Sequence, residues 1–114
     1  MEQEIVLCAA SAYEKKFYFN PIFEGIPQSV KDELKIMCVL FTEDVGGILE
    51  LVYDEEGDLE FRTSSDEGDY LYDEIGSVLK VKELQREKSG LLESLQMFYK
   101  IIVMGKLEED DACY

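Results

Sequence analysis

Carboxylates are the side chains of this sequence with the greatest scope for chemistry. Between Glu43 and Glu74 the chain carries thirteen acidic residues and one base, Arg62, and this segment supplies −12 of the net charge of −15. A field of this sign repels nucleic acid and anionic membranes, and it attracts cations or basic proteins. The charge therefore predicts neither a nucleic-acid partner nor a membrane partner.

Cation binding is the first chemistry that these acids suggest. Asp54, Glu56, Asp58 and Glu60 alternate along the chain as acids do at the start of an EF-hand loop. The position that needs glycine is Leu59, however, and the position of the closing glutamate is Ser65. Because the motif fails at its most diagnostic positions, no cofactor or metal is predicted. A domain that binds a small ligand, calcium or magnesium through surface carboxylates stays the alternative hypothesis.

Catalytic motifs are the second possibility. The chain has no histidine, which excludes Ser-His-Asp and Cys-His catalysis and removes the commonest zinc ligand. No glycine-rich loop has the spacing that a phosphate site requires. The 26 acids include no pair that the sequence singles out as a general acid and base. We therefore predict that the protein is not an enzyme.

The cysteines indicate the compartment. Cys8, Cys38 and Cys113 are odd in number and widely spaced, which is unlike a disulfide framework and typical of a reducing compartment. No secretory signal and no apolar run of about 18 residues is present. The sequence thus predicts a cytosolic protein. Cys8 and Cys38 fall in apolar segments, where we expect small buried hydrophobic side chains.

Period-two patterns predict two β-hairpins. The first pairs Ile5 to Ala10 with Lys15 to Phe19, and the second pairs Ile48 to Tyr53 with Leu59 to Thr63 across a turn that ends at Gly57. Counting outward from that turn sets Tyr53 opposite Leu59, Leu51 opposite Phe61 and Glu50 opposite Arg62. The last pairing predicts an exposed ion pair across the strands.

Helical spacing predicts the remaining elements. Apolar residues from Val30 to Phe41 indicate a helix that the Gly46-Gly47 pair ends. Because residues 36–41 are apolar all round, we expect this helix to be buried on more than one side. Two further helices are predicted from about Asp66 to Leu79 and from about Lys82 to Val103, with one continuous helix as the alternative.

These elements define an α+β fold with an antiparallel sheet of two β-hairpins, in the order β-β-α-β-β-α-α, and helices packed on one face. Residues 1–106 are predicted to form this single domain. Residues 107–114 are predicted to form an acidic, flexible tail.

Three runs, MCVLFTEDVGG (37–47), LVYD (51–54) and YDEIG (72–76), resemble a family of small acidic proteins of unknown function from anaerobic Firmicutes. That resemblance implies no activity, ligand or catalytic residue. The runs VGGI (45–48) and DEEG (54–57) are similar to the helix, turn and hairpin of roadblock and longin domains. Such domains add further strands before a final helix, and none is predicted beyond Thr63.

Separation of charge supports a function hypothesis. Residues 80–106 carry a net charge of +3, against −12 in the acidic segment. We therefore predict a protein-interaction module that binds a basic protein or associates with itself as a homo-oligomer. Glu43 and Asp44 lie at the C-terminus of the first predicted helix, where carboxylates oppose the helix dipole. Local structure therefore explains these two acids least well. The candidate surface comprises Glu43, Asp44, Asp54, Glu55, Glu56, Asp58, Asp66, Glu67 and Asp69.

Overall fold

The computed structural model of the chain describes residues 4–104. Its strands are β1 Ile5–Ser11, β2 Lys16–Phe19, β3 Ile48–Tyr53 and β4 Leu59–Ser64. Its helices are α1 Gln28–Val45, α2 Glu74–Glu87 and α3 Ser89–Phe98, with a 3-10 turn at Pro21–Phe23 and a π-helical turn at Tyr99–Met104. The predicted tail and the predicted domain boundary at residue 106 lie outside the described residues.

The four strands form one antiparallel sheet in the order β2-β1-β3-β4. Both predicted hairpins are confirmed, and β1 and β3 join them at the centre of the sheet. Tyr53 pairs with Leu59 and Leu51 pairs with Phe61, as the sequence predicts. Because side chains alternate along a strand, this register places the apolar residues of both strands on one face.

The predicted ion pair between Glu50 and Arg62 is wrong, although the two residues are opposite each other in the sheet. The Arg62 guanidinium contacts the carboxylates of Glu4 and Glu60 instead. Each of these carboxylates meets two guanidinium nitrogens, so four of the five N–H donors are used. The hydrogen bond from Arg62 holds the pKa of Glu4 below its usual value.

Helices cover the apolar face of the sheet, which confirms the predicted α+β architecture. Leu49, Leu51 and Tyr53 are fully buried in one cluster with residues of α1 and α3. The Tyr53 hydroxyl donates a hydrogen bond to the Leu95 carbonyl at 2.8 Å, and the Tyr53 ring stacks on Tyr99 with 4.4 Å between centroids. These contacts fix α3 against the end of β3.

Helix α1 begins directly after Pro27 and ends before Gly46, which has a left-handed φ of 83°. This helix packs on the sheet and on α2, as expected of a helix buried on more than one side, but residues 36–41 are not buried all round. Ile36 and Leu40 are 60% and 55% exposed, since α2 covers only the flank of α1 that holds Met37 and Phe41. The structure thus leaves two large apolar side chains of α1 in water.

The predicted start of the next helix, Asp66, is wrong. Helix α2 starts at Glu74, where the Asp73 side chain caps it by accepting a hydrogen bond from the Gly76 amide at 2.8 Å. Residues 65–73 form a loop instead, and the Asp73 amide donates to the Val45 carbonyl at 3.0 Å. This contact with the end of α1 fixes where α2 can begin.

The predicted division between the last two helices is also wrong. Helix α2 continues past Leu79 because Ser77 and Leu84, seven residues apart, both face the core. The break falls at Lys88, whose φ of −105° and ψ of 20° leave the helical region. The alternative of one continuous helix fails for the same reason.

Candidate functional site

The nine predicted acids fall into two groups at opposite ends of the sheet. Ile48 pairs with Ser64 at one end of β3, whereas Tyr53 pairs with Leu59 at the other. The six residues of β3 separate these ends by roughly 17 Å. The loop end, beside Ile48, carries Glu43, Asp44, Asp66, Glu67 and Asp69, and the hairpin end, beside Tyr53, carries Asp54, Glu55, Glu56 and Asp58. The acids therefore form two surfaces.

At the loop end, Tyr13 holds the acidic loop. Its hydroxyl donates a hydrogen bond to the Asp69 carboxylate and accepts one from the Asp66 amide at 2.9 Å. The first of these bonds holds the pKa of Asp69 below its usual value and raises the pKa of Tyr13. Asp69 is consequently a fixed negative charge, which is unsuited to general acid catalysis.

Glycines at the end of α1 allow the same loop to pack closely. A Cβ atom on Gly47 would lie 2.5 Å from the Ser64 carbonyl oxygen and 2.7 Å from the Tyr72 ring. The Tyr72 hydroxyl in turn donates a hydrogen bond to the Ser77 hydroxyl at 2.9 Å. The sequence marks Gly46-Gly47 as a helix end, but the close approach of Tyr72 depends on residues 25 positions apart.

At the hairpin end, the acids are organised by the turn itself. The Asp54 carboxylate accepts hydrogen bonds from the amides of Glu56 and Asp58 at 2.9 and 3.0 Å. Lys100 forms an ion pair with Asp58 at 3.2 Å. One base of the C-terminal third therefore already compensates an acid of the same chain, and Glu55 and Glu56 are left exposed to solvent.

The arrangement of these acids offers charge, and no assembled metal centre. Within residues 4–104, no group of three or more Cys, Asp or Glu side chains has the geometry to hold a metal ion. Over the same residues, every buried side-chain oxygen and nitrogen has a hydrogen-bond partner.

In this part of the chain no helix combines the length and apolar character needed to cross a membrane.

The sequence did not reveal a groove between α1 and α2, which we call the helical groove. Its volume is about 430 Å³, and Met37, Phe41 and Leu84 provide apolar surface within it. The exposed Ile36 and Leu40 stand on the α1 side. Lys80 and Lys88 stand on the α2 side, and Lys80 lies 4.0 Å from Asp44.

The apolar stretch at residues 36–41 of α1 is a sequence signal for this groove. A helix segment that is apolar all round can be buried in the core, but the same pattern arises when one side of it faces a partner. Helix α2 also has exposed apolar side chains, since Ile75, Val78 and Leu79 are 76%, 56% and 62% exposed, but these three do not line the groove. The two helices together therefore expose five large apolar side chains.

The two described cysteines are inert thiols. Cys8 and Cys38 are fully buried with their Sγ atoms 3.9 Å apart, which confirms their prediction as small core side chains. The hydrogen bond between the thiols and their burial raise the pKa of Cys8 far above its usual range. Neither thiol is available as a nucleophile at neutral pH. Cys113 lies outside the described residues.

These features define a small α+β domain with three helices on one face of a four-stranded antiparallel sheet, two acidic ends and an exposed helical groove. The chain belongs to a family of unknown function, DUF6145, whose profile matches residues 4–107. No curated protein and no solved structure matches the chain. Membership confirms the predicted resemblance to an uncharacterised family, while the Firmicute origin and the similarity to roadblock and longin domains stay predictions.

Proposed function

We propose that this protein is a non-catalytic protein-interaction module that binds a basic protein or a second copy of itself through the helical groove. The observation that carries the proposal is the exposure of Ile36 and Leu40 beside the groove, at 60% and 55%. Scattered apolar side chains are common on protein surfaces, but a row of them along a groove is typical of an interaction site.

The spacing of these residues favours a helical or similarly narrow partner. Ile36 and Leu40 are four residues apart on α1 and so lie one above the other on the same side of the helix. Met37, Phe41 and Leu84 continue the apolar surface into the groove. A partner that presents an apolar stripe can therefore bury both exposed and recessed positions at once.

Charges around the groove favour the two kinds of partner named. Asp32 and Glu33 line its α1 side, and Lys80 and Lys88 line its α2 side. Two copies related by a two-fold axis can place the acids of one α1 against the lysines of the other α2. A foreign partner meets a protein of net charge −15, so a basic surface is attracted from a distance.

The predicted acids take different roles in this proposal. Asp44 adjoins the groove through Lys80, and Glu43 is its neighbour at the end of α1. The acids of the hairpin end lie away from the groove and contribute to long-range attraction. The proposal includes a cytosolic location, which the unpaired buried thiols of Cys8 and Cys38 support.

Velocity sedimentation at low and high salt tests the second-copy form. The variant Leu40→Glu places a charge in the groove, and we expect it to weaken self-association by at least about tenfold, since an unpaired charge is excluded from an apolar interface. The matched control is Ile22→Glu, because Ile22 is 68% exposed and lies outside the groove. Both positions are exposed, so circular dichroism should show an unchanged fold.

The basic-partner form is tested by titration with a synthetic peptide. The peptide forms an amphipathic helix and carries lysines on its polar face. We expect saturable binding of the peptide. Its affinity should change in Leu40→Glu and stay the same in Ile22→Glu. If the wild-type protein is monomeric at both salt concentrations and also fails to bind this peptide, the proposed function is wrong.

A further inference from the structure

A second cavity, which we call the lysine cavity, is lined by three lysines. It occupies about 650 Å³ between the β1–β2 turn and the second half of α1. Lys15, Lys16 and Lys35 line it together with the apolar side chains of Phe17 and Val39. A volume of this size suits a small ligand or a few side chains of a peptide.

The charge of this cavity opposes that of the whole protein. It contains three of the eleven bases of the chain, and Glu43 is the one acid that lines it. Among residues 4–104, Arg62, Lys80 and Lys100 form ion pairs, whereas Lys15, Lys16 and Lys35 form none. In a chain with 26 acids, these three lysines remain available for an acidic ligand.

The positions of the lysines are set by the fold. Lys16 is the first residue of β2 and pairs with Ser11, while Lys15 precedes it with a left-handed φ of 53°. Lys35 approaches from α1, on the opposite wall of the cavity. Lys15 and Lys35, from elements distant in sequence, therefore line one space with Phe17 and Val39, and Lys16 lies at its edge because it alternates with Phe17 along β2.

We propose that the lysine cavity binds an acidic peptide segment, and that its occupant is the run Glu108 to Asp111 of a second copy of this chain. This run supplies four consecutive carboxylates and lies outside the described residues. Opposite charge is the basis of recognition, because lysines line the cavity and the run carries four carboxylates. Apolar contact with Phe17 and Val39 is open to Leu107 and Tyr114, which flank the run in sequence.

The location of the cavity relative to Lys100 favours a second copy as the source of the run. Lys100 binds Asp58 at the hairpin end, whereas the cavity lies beside Ser11, which pairs with Ile48 at the loop end. The two ends are separated by roughly 17 Å. The run of the same chain would have to cross the length of the sheet to enter the cavity, whereas the run of a second copy can approach it directly from solvent.

Binding of the acidic run at the lysine cavity does not involve the helical groove, so this proposal goes beyond the proposed function. Two copies can exchange their acidic runs reciprocally, which gives a closed dimer. Such contacts are charge-dominated, and we expect high salt to weaken them.

Fluorescence anisotropy with a labelled peptide of residues 107–114, under reducing conditions, tests the cavity directly. The receptor is the full chain with Glu108→Gln, Glu109→Gln, Asp110→Asn and Asp111→Asn, so that its own run does not compete. We expect saturable binding at low salt, and no binding of a peptide in which the same four acids are amides.

Two receptor variants locate the site. Lys15→Gln with Lys35→Gln removes two charges at the cavity, and we expect affinity to fall by about tenfold, since two partly exposed ion pairs are lost. The matched control, Lys82→Gln with Arg86→Gln, removes two exposed charges of α2 and should change affinity less than about twofold. Equal losses in both variants, or binding of the amide peptide, would overturn the site.

Velocity sedimentation of the wild-type chain identifies the source of the run. We expect neutralisation of the four acids to lower the sedimentation coefficient at low salt. An unchanged coefficient together with peptide binding would overturn the second copy as the occupant. Because Leu40→Glu leaves the peptide titration intact in this scheme, failure of the lysine cavity and failure of the helical groove give different results.

Discussion

The two ends of the sheet carry similar numbers of acids, but they are built in different ways. At the hairpin end, Asp54 accepts hydrogen bonds from amides two and four residues later, and Gly57 takes a left-handed φ of 86°. At the loop end, Tyr13 binds Asp66 and Asp69 from more than fifty residues away. One end follows from local sequence, and the other depends on tertiary contacts.

This difference explains which predictions succeeded. The hairpin register was predictable because turn chemistry and alternation act over fewer than twenty residues. The helix start was not, since Ser65 and Asp66 have the composition of a cap, while Asp73 has the contact with Val45 that selects it. Turn chemistry and alternation can be recognised in a single sequence, whereas the contact between Asp73 and Val45 exists only in the folded chain.

We expect the largest effect from adding a methyl group at the loop end. In Gly47→Ala the Cβ would lie 2.5 Å from the Ser64 carbonyl oxygen at a φ of 71°. Backbone atoms cannot move aside as side chains can, so the free energy of unfolding should fall by roughly 2–4 kcal/mol. Urea denaturation followed by circular dichroism measures it.

Gly57→Ala at the hairpin end is the matched control, because its φ is also left-handed. There the Cβ would meet the Tyr99 ring at 3.0 Å and the Lys100 side chain at 3.2 Å, so the displacement required is smaller than at Gly47. A loss of roughly 1–2 kcal/mol is expected from backbone strain. If Gly57→Ala destabilises the protein as much as Gly47→Ala, the close packing assigned to the loop end is wrong.

A smaller effect distinguishes the observed helix start from the one that the sequence suggests. Asp73→Ala removes the side chain that accepts from the Gly76 amide, so we expect a loss of about 1 kcal/mol in the free energy of unfolding. Asp66→Ala should change it by less than about 0.5 kcal/mol, because Asp66 is exposed and contacts Tyr13 through its amide. The reverse order in urea denaturation would place the helix start at Asp66.

The candidate sites show the same division between local and distant information. The acids themselves were evident in the sequence, but their separation into two ends follows from strand register and from the loop after β4. The exposed Ile36 and Leu40 were visible as apolar residues without any indication of which helix would cover them. The lysine cavity unites Lys15 and Lys16 with Lys35 from α1, a juxtaposition that only the packing of α1 on the first hairpin creates.

The smallest expected effect concerns the pH dependence of the Tyr13 contact. The Asp69 carboxyl has a pKa below its usual 3.8 because it accepts a hydrogen bond from Tyr13. A carboxyl with a lowered pKa stabilises the fold above its unfolded pKa, and this contribution disappears as pH falls through the folded value. The pKa of Tyr13 is raised above 10.0 by the same bond, so its contribution disappears at high pH.

The difference in unfolding free energy between the wild type and Tyr13→Phe should therefore be constant from about pH 5 to pH 9 and shrink on both sides of that range. Tyr18→Phe is the control, because Tyr18 is 50% exposed on β2 and its substitution should give a difference that does not vary with acid pH. Amide hydrogen exchange supplies a local reading, since the Asp66 amide loses its acceptor in Tyr13→Phe. Unchanged protection of that amide, with no pH dependence in the stability difference, would mean that the loop end is held by Gly47 and Tyr72 without Tyr13.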